Sequence, residues 1–152
     1  MAWIPKDAKW YLADIVKEFR VEGEDHSLVH INLLLIRANS PEEAYERALE
    51  VGKQGENVYQ NVDGKNVVVT FRGLRGLYVV HDELEHGSEL IYEEIEDIDE
   101  EQIQKLVRPK AELGVFIPYD PQANLDYMPG DIYRDVFKEL EKRMGDSPSE
   151  KS

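Results

Sequence analysis

The chain contains no cysteine and no long apolar run, and both absences exclude kinds of protein. Without cysteine it forms no disulfide and offers no thiolate metal ligand or cysteine nucleophile. Its longest aliphatic run, residues 33–36, is far shorter than the ~20 residues that cross a bilayer. Pro5, Lys6, Asp7 and Lys9 interrupt the first ten residues, so no secretory signal is predicted. We therefore expect a soluble cytoplasmic protein with no membrane contact.

Basic residues are scarce, and the acidic excess is concentrated in one segment. The whole sequence has 18 Lys and Arg against 32 Asp and Glu, a formal net charge of −14. Eleven of the 21 residues at 81–101 are acidic, and none is Lys or Arg. We refer to residues 81–101 as the acidic segment. Because nucleic-acid phosphates and anionic lipids would be repelled, we expect neither as a partner.

The length and composition fit one folded domain with a hydrophobic core. The 152 residues are 41% hydrophobic and 33% charged. We predict an α+β domain at residues 1–109, followed at 110–145 by a strap and a helix that pack on the same domain. Residues 146–152 are polar and are predicted to form a disordered tail.

Apolar residues at a period of two predict an antiparallel sheet of five to six strands. Residues 10–21 alternate between apolar and polar, which is typical of a half-buried strand. Residues 28–37 are apolar on both faces, which favours a more central strand that pairs with the first as a hairpin. An Asp-Gly pair at residues 63–64 predicts a tight turn between two further strands. Shorter strands are predicted at 77–80 and 89–95.

Three helices are predicted from capping signals and helical spacing, the second a short one that starts at Asp97 or Asp99 and is ended by Pro109. Ser40, followed by proline and then by Glu43, forms a capping-box pattern at the start of a helix at residues 41–52. Gly52 is expected to take the left-handed conformation that ends this helix. Apolar residues at helical spacing predict a C-terminal helix at 132–144. A sheet packed by the first helix defines an α+β fold.

Three short motifs point to a known family. Trp10, Tyr11 and Ala13 form a Trp-Tyr-x-Ala strand opening, residues 38–44 read A-x-S-x-E-E-A, and residues 87–90 read Gly-x-Glu followed by an apolar residue. Together they resemble the bacterial family known as domain of unknown function 4288, over roughly residues 10–95. The resemblance implies a small intracellular α+β domain and brings no activity with it.

Histidines at the start of the acidic segment raise a metal-binding alternative. His81 and His86 are five residues apart, whereas a zinc metalloprotease helix needs histidines four apart with Glu directly after the first. Gln102 and Arg108 stand where a calcium loop beginning at residue 97 requires Gly and Glu. The alternative left open is a metal-dependent hydrolase or metal-sensing domain that uses His81, Glu85 and His86. No other cofactor is predicted.

The leading hypothesis is a non-catalytic intracellular binding module of adaptor or immunity type. No nucleophile elbow, P-loop or dinucleotide fingerprint is present, which disfavours an enzyme. A locally negative segment accelerates encounter with a basic protein surface and makes it selective, although such a run is also typical of a solvated sheet edge. A third hypothesis is self-association through the helix at 132–144. Tyr92 is the expected anchor, and the expected charged contacts are Glu83, Glu85, Glu89, Glu93, Glu94, Glu96, Asp97 and Asp99.

Overall fold

The fold is one curled, antiparallel, four-stranded sheet with helices, so the predicted α+β class is confirmed. The computed structural model describes residues 3–120, 123 and 125–145. The strands are β1 (Trp10–Val21), β2 (Leu28–Arg37), β3 (Asn57–Gln60) and β4 (Asn66–Val79). The α-helices are α1 (Pro41–Gln54), α2 (Glu100–Leu106) and α3 (Gly130–Gly145). Short 3-10 turns occupy Lys110–Glu112, Gly114–Phe116 and Leu125–Tyr127.

The strand order is β2-β1-β4-β3, and every neighbouring pair is antiparallel. The predicted hairpin of the first two strands is confirmed. The predicted tight turn between β3 and β4 is also confirmed. Gly64 has a φ of +76° there, and the Asn61 side chain accepts hydrogen bonds from the backbone of Asp63 and Lys65, each at 3.0 Å.

The prediction of five to six strands is wrong, because the described residues form four. Residues 77–80 do not start a new strand, since residues 77–79 continue β4 across register shifts at Gly73 and Gly76. Residues 89–95 form no strand. Apolar and acidic residues are interspersed there, but a strand also needs a neighbouring edge to pair with, and the local pattern does not report one.

β2 lies at an edge of the sheet, against the prediction of a more central position. The central strands are β1 and β4. On β2, Leu34 and Ile36 pack in the core, whereas the alternate residues are exposed on the other face. β2 is therefore apolar on both faces for two different reasons. One face is buried in the core, and the other is apolar although nothing in the described part of the chain covers it.

The helix α1 closes one face of the sheet through small residues. Ser40 is its N-cap, and its Oγ accepts a hydrogen bond from the backbone N–H of Glu43 at 3.2 Å, so the predicted helix start is confirmed. Ala44 and Ala48 are buried in one cluster with Tyr11, Ala13, Ile15 and Ile36. Their small side chains let the helix approach the strands closely.

Gly52 does not end α1, so the expected left-handed conformation is wrong. The helix continues to Gln54 and is capped by Gly55, which has a right-handed φ of −82°. Gly52 is buried against β4, and a Cβ there would collide with the ring of Phe71. The glycine therefore serves close packing rather than helix termination.

The C-terminal region returns to the sheet beyond the end of α1. The Tyr59 hydroxyl and the Asn61 Nδ2 donate to backbone carbonyls of the turn Leu125–Tyr127, the second at 2.8 Å. This turn contacts β1, near the end of the sheet where Val21 and Val67 are buried. The predicted division at residues 109 and 110 stays a prediction, and the predicted tail, 146–152, lies outside the described residues.

The other face of the sheet is apolar and exposed, and we refer to it as the open face. Side chains alternate along a strand, so Leu12, Asp14 and Val16 face away from α1. Their register partners on β2 and β4 lie on the same face. The exposed apolar side chains of the open face are Val29, Ile31, Leu33, Leu35, Val58, Val68 and Tyr78.

Candidate functional site

The acidic segment begins where the chain leaves the sheet. The backbone N–H of Val80 makes the last sheet contact, donating to the carbonyl of Trp10 at 2.9 Å. A tight loop follows, in which Ser88 accepts from the backbone of Glu85 at 2.9 Å and Asp82 accepts from the backbone of Glu89 at 3.1 Å. From residue 90 to the start of α2 the chain forms neither helix nor strand. The segment is thus an excursion from the sheet rather than one of its strands.

All nine predicted partner-binding residues are exposed. Apart from Tyr92 they are carboxylates in contact with water. In the described part of the chain, the one ion pair of the acidic segment joins Glu101 to Lys105 at 3.6 Å. Asp97 takes a positive φ of 53° at a bend just before α2. Glu83, Glu85, Glu89, Tyr92, Glu93, Glu94, Glu96 and Asp97 are exposed to solvent, and so is Asp99, whose Oδ1 accepts a hydrogen bond from the backbone N–H of Gln102 at 2.8 Å.

A mostly apolar pocket of about 410 Å³ lies between the acidic segment and the sheet. One wall is the segment itself, residues 89–92, and the opposite walls come from Tyr11, the start of α1 at Pro41, and the end of β4 at residues 77–79. Ile4 and His81 complete the lining. The segment therefore carries negative charge and an apolar cavity at the same place.

Aromatic side chains shape this pocket and its rim. Trp3 stacks on His81, with ring centroids 5.7 Å apart and planes 3° from parallel. Tyr92 is 73% exposed and stands at the pocket wall, as an anchor residue would. Burial raises the pKa of Tyr11, and the nearby carboxylate of Glu43 raises it further, so its hydroxyl stays neutral at the pocket floor.

The residues of the metal alternative surround one shallow hollow. His81, Glu85 and His86 line it together with Asp82 and Ser88. In the described part of the chain, no three His, Asp or Glu side chains are placed to hold one ion. His81 is engaged instead with the ring of Trp3. A metal-dependent role stays a prediction that elemental analysis of the purified protein can test.

The most buried charged side chain lies outside the acidic segment and was not predicted. Asp14 on β1 has a side chain only 3% exposed. Its Oδ2 accepts a hydrogen bond from Nε of Arg75 at 3.0 Å and lies 3.0 Å from Nη2 of the same ion pair. Its Oδ1 is buried and receives no hydrogen bond from any described residue. The only sequence signal is one Asp in an otherwise apolar alternation, and its partner is distant in the chain.

Comparisons with known proteins bear on the family. A family model described as Domain of unknown function (DUF4288) matches residues 10–92, which is more than half of the chain and confirms the resemblance seen in the sequence. No curated protein and no solved structure matches significantly. No helix among the described residues is long and apolar enough to span a membrane.

Proposed function

We propose that this chain, which belongs to the DUF4288 family, is a non-catalytic intracellular binding module of adaptor or immunity type. Its acidic segment would engage a basic surface on a protein partner. One observation carries the proposal: residues 89–92 of the acidic segment line the apolar pocket, and Glu89 among them is one of the exposed carboxylates. Charge alone is equally consistent with a solvated surface, whereas charge beside a cavity fits a docking site.

The carboxylates supply attraction over distance. Because they are not neutralised by Lys or Arg within the described segment, apart from the Glu101–Lys105 pair, their field extends into solvent. Such a field raises the encounter rate with a basic partner by about 10- to 1000-fold at low salt and is screened beyond about 10 Å at 0.1 M salt. Binding should therefore weaken as salt rises.

The pocket supplies specificity at short range. Its aliphatic walls, Ile4, Leu77, Leu90 and Ile91, suit the apolar stem of a long side chain. Glu89 lines the same pocket and offers a carboxylate to the charged tip of such a side chain. A lysine or arginine from the partner is thus the group that fits both parts, with the Tyr92 ring packing beside it.

The test is a pull-down from the source cell at low and high salt with three forms of the protein. The triple variant Glu93→Gln, Glu94→Gln and Glu96→Gln removes three exposed charges of the acidic segment. The control variant Glu42→Gln, Glu46→Gln and Glu50→Gln removes three exposed charges from α1. We expect the first variant to lose a salt-sensitive partner that the control retains.

A single substitution distinguishes the anchoring role of Tyr92 from the long-range attraction of the carboxylates. Tyr92→Ala should weaken binding of the same partner mainly through faster dissociation, because it removes contact area without changing charge. Equal loss of the partner by both triple variants would reduce the effect to net charge and contradict the proposal. So would the failure to recover any partner that high salt removes.

A further inference from the structure

The open face carries a consequence separate from the acidic segment: we propose that it packs against the open face of a second copy of this chain. Exposed aliphatic side chains follow the whole length of β2 on this face, at Val29, Ile31, Leu33 and Leu35. Val58, Val68 and Tyr78 extend the exposed surface across the sheet. A contiguous apolar surface of this kind is typical of an interaction site.

The elements that close the sheet lie on its other face. α1 packs on Tyr11, Ala13 and Ile15, which alternate with the residues of the open face. The residues of α2 and of the two 3-10 turns that follow it are all exposed, so they do not shield it. At the centre of the open face Gly73 has no side chain, whereas the ring of Tyr78 lies over Gly76.

The charges on the open face favour another copy over a basic partner. Its two buried or half-buried carboxylates are already paired, Asp14 with Arg75 at 3.0 Å and Glu18 with Arg72 at 3.7 Å. The face therefore offers no free carboxylate to a basic surface, and it lacks the concentrated negative charge that would make two copies repel. Glu18 stays partly exposed beside Arg72, whereas Asp14 is buried beneath Arg75, so a two-fold axis can place only the Arg72–Glu18 pair of one copy against its counterpart in the other.

Arg75 gives this arrangement a specific feature. Its guanidinium is 57% exposed although the carboxylate it binds is buried, and Oδ1 of Asp14 still lacks a donor among the described residues. Packing against a second copy removes the guanidinium from water. Its attraction to Asp14 is stronger in that less polar environment. Arg75 has further N–H groups available for the partner copy.

The size of the open face is adequate for a dimer. Strands of 10 to 14 residues lie side by side in it. At about 3.3 Å per residue and about 4.8 Å between strands, the three long strands cover roughly 570 Å², and the four residues of β3 add roughly 60 Å². Stable interfaces bury about 800 Å² per partner, so the two open faces provide most of what is needed.

The first experiment is the solution mass of the full chain. Light scattering after gel filtration at micromolar concentration should give twice the 17.6 kDa of one chain. Leu33→Asp should reduce the mass to that of one chain, because the leucine is 57% exposed in a single copy and would be buried between two. Leu106→Asp is the matched control, since Leu106 is 59% exposed but lies on α2. It should leave the dimer intact.

A second experiment does not depend on how well the aspartate variant folds. The chain has no cysteine, so Leu33→Cys introduces a single reactive thiol on the open face. A short bismaleimide should cross-link this variant into a dimer in high yield and should leave Leu106→Cys largely single. Circular dichroism of each variant confirms that the fold is retained.

Three outcomes overturn the proposal. A parent protein with the mass of one chain would show that the open face packs on no second copy. A dimer broken by Leu106→Asp but not by Leu33→Asp would place the interface on α2. Cross-linking of both cysteine variants to the same extent would indicate non-specific association. The acidic-segment variants, by contrast, should remain dimeric, so this proposal and the proposed function can fail separately.

Discussion

At the scale of single residues, Gly52 shows how a position inside a helix can require the absence of a side chain. Alanine normally stabilises a helix relative to glycine by roughly 0.5–1 kcal/mol. At Gly52 the new Cβ would meet the Phe71 ring, so the ring or the helix has to move. We expect Gly52→Ala to lower the free energy of unfolding by about 1–3 kcal/mol, as other overpacked cores do.

Urea unfolding of Gly52→Ala and of Gly145→Ala checks this prediction. Gly145 closes α3, and nothing lies within 4 Å of where its Cβ would stand. The control should therefore show no loss of stability. If Gly52→Ala were as stable as the parent, α1 would not be held closely on β4.

Two single residues have roles that could not be predicted from the sequence. The role of Gly52 was misassigned because a glycine near a helix end usually terminates it, and the opposing Phe71 is far away in the chain. Asp14 was not recognised as a buried charge for the same reason, since Arg75 lies 61 residues away. Both roles depend on a partner that only the folded chain brings close.

At the scale of elements, α1 and α2 have similar caps but contribute differently to the stability of the fold. Ser40 caps α1, whose inner face is buried, and Asp99 caps α2 in a reciprocal capping box with Gln102. No residue of α2 is buried. A seven-residue helix is marginal by itself, so α2 depends on its cap, whereas α1 depends on its cap and on the core.

We expect different consequences when each cap is removed. Ser40→Ala should lower the global free energy of unfolding by about 1 kcal/mol. Asp99→Ala should melt α2 while leaving the global value unchanged. Urea unfolding measures the first effect, and amide exchange over residues 100–106 measures the second. An equal global loss in both variants would mean that α2 is packed on the domain.

The same contrast explains which elements the sequence could predict. The helix starts rest on local signals, such as Ser40 followed by proline and Glu43, and α1 was found where expected. Strands rest on pairing with distant residues. Residues 89–95 therefore looked like a strand without being one, and β2 looked central although it lies at an edge. The pocket beside the acidic segment is built from five separate stretches of chain and has no local signature.

At the scale of the whole molecule, tyrosines on separate elements link stability to alkaline pH. Burial raises the pKa of Tyr59 above its ordinary value of 10.0, and burial followed by the charges of Glu24 and Asp126 raises the pKa of Tyr127. Burial and then Glu43 do the same for Tyr11. Above about pH 10 the unfolded chain has therefore lost more of these protons than the folded chain has.

The contribution of these tyrosines is complete below about pH 10 and is lost as pH rises through their folded pKa values. We expect the free energy of unfolding to fall steadily above about pH 10 and to fall less steeply in Tyr59→Phe, which cannot ionise there. Urea unfolding at a series of alkaline pH values measures both slopes. Equal slopes in the two proteins would contradict the role of Tyr59.

The excursion of the chain between Val80 and Leu125 has a consequence for how relatives can diverge. Its two ends are fixed at opposite ends of β4, whose 14 residues span about 45 Å, and far more residues than that distance requires lie between them. Most of the excursion also lies beyond the family match at residues 10–92. Lengthening, trimming or rewriting it would leave the sheet and α1 untouched. Under the proposed function, changes confined to this stretch would alter the partner-binding residues while the sheet and α1 stay the same.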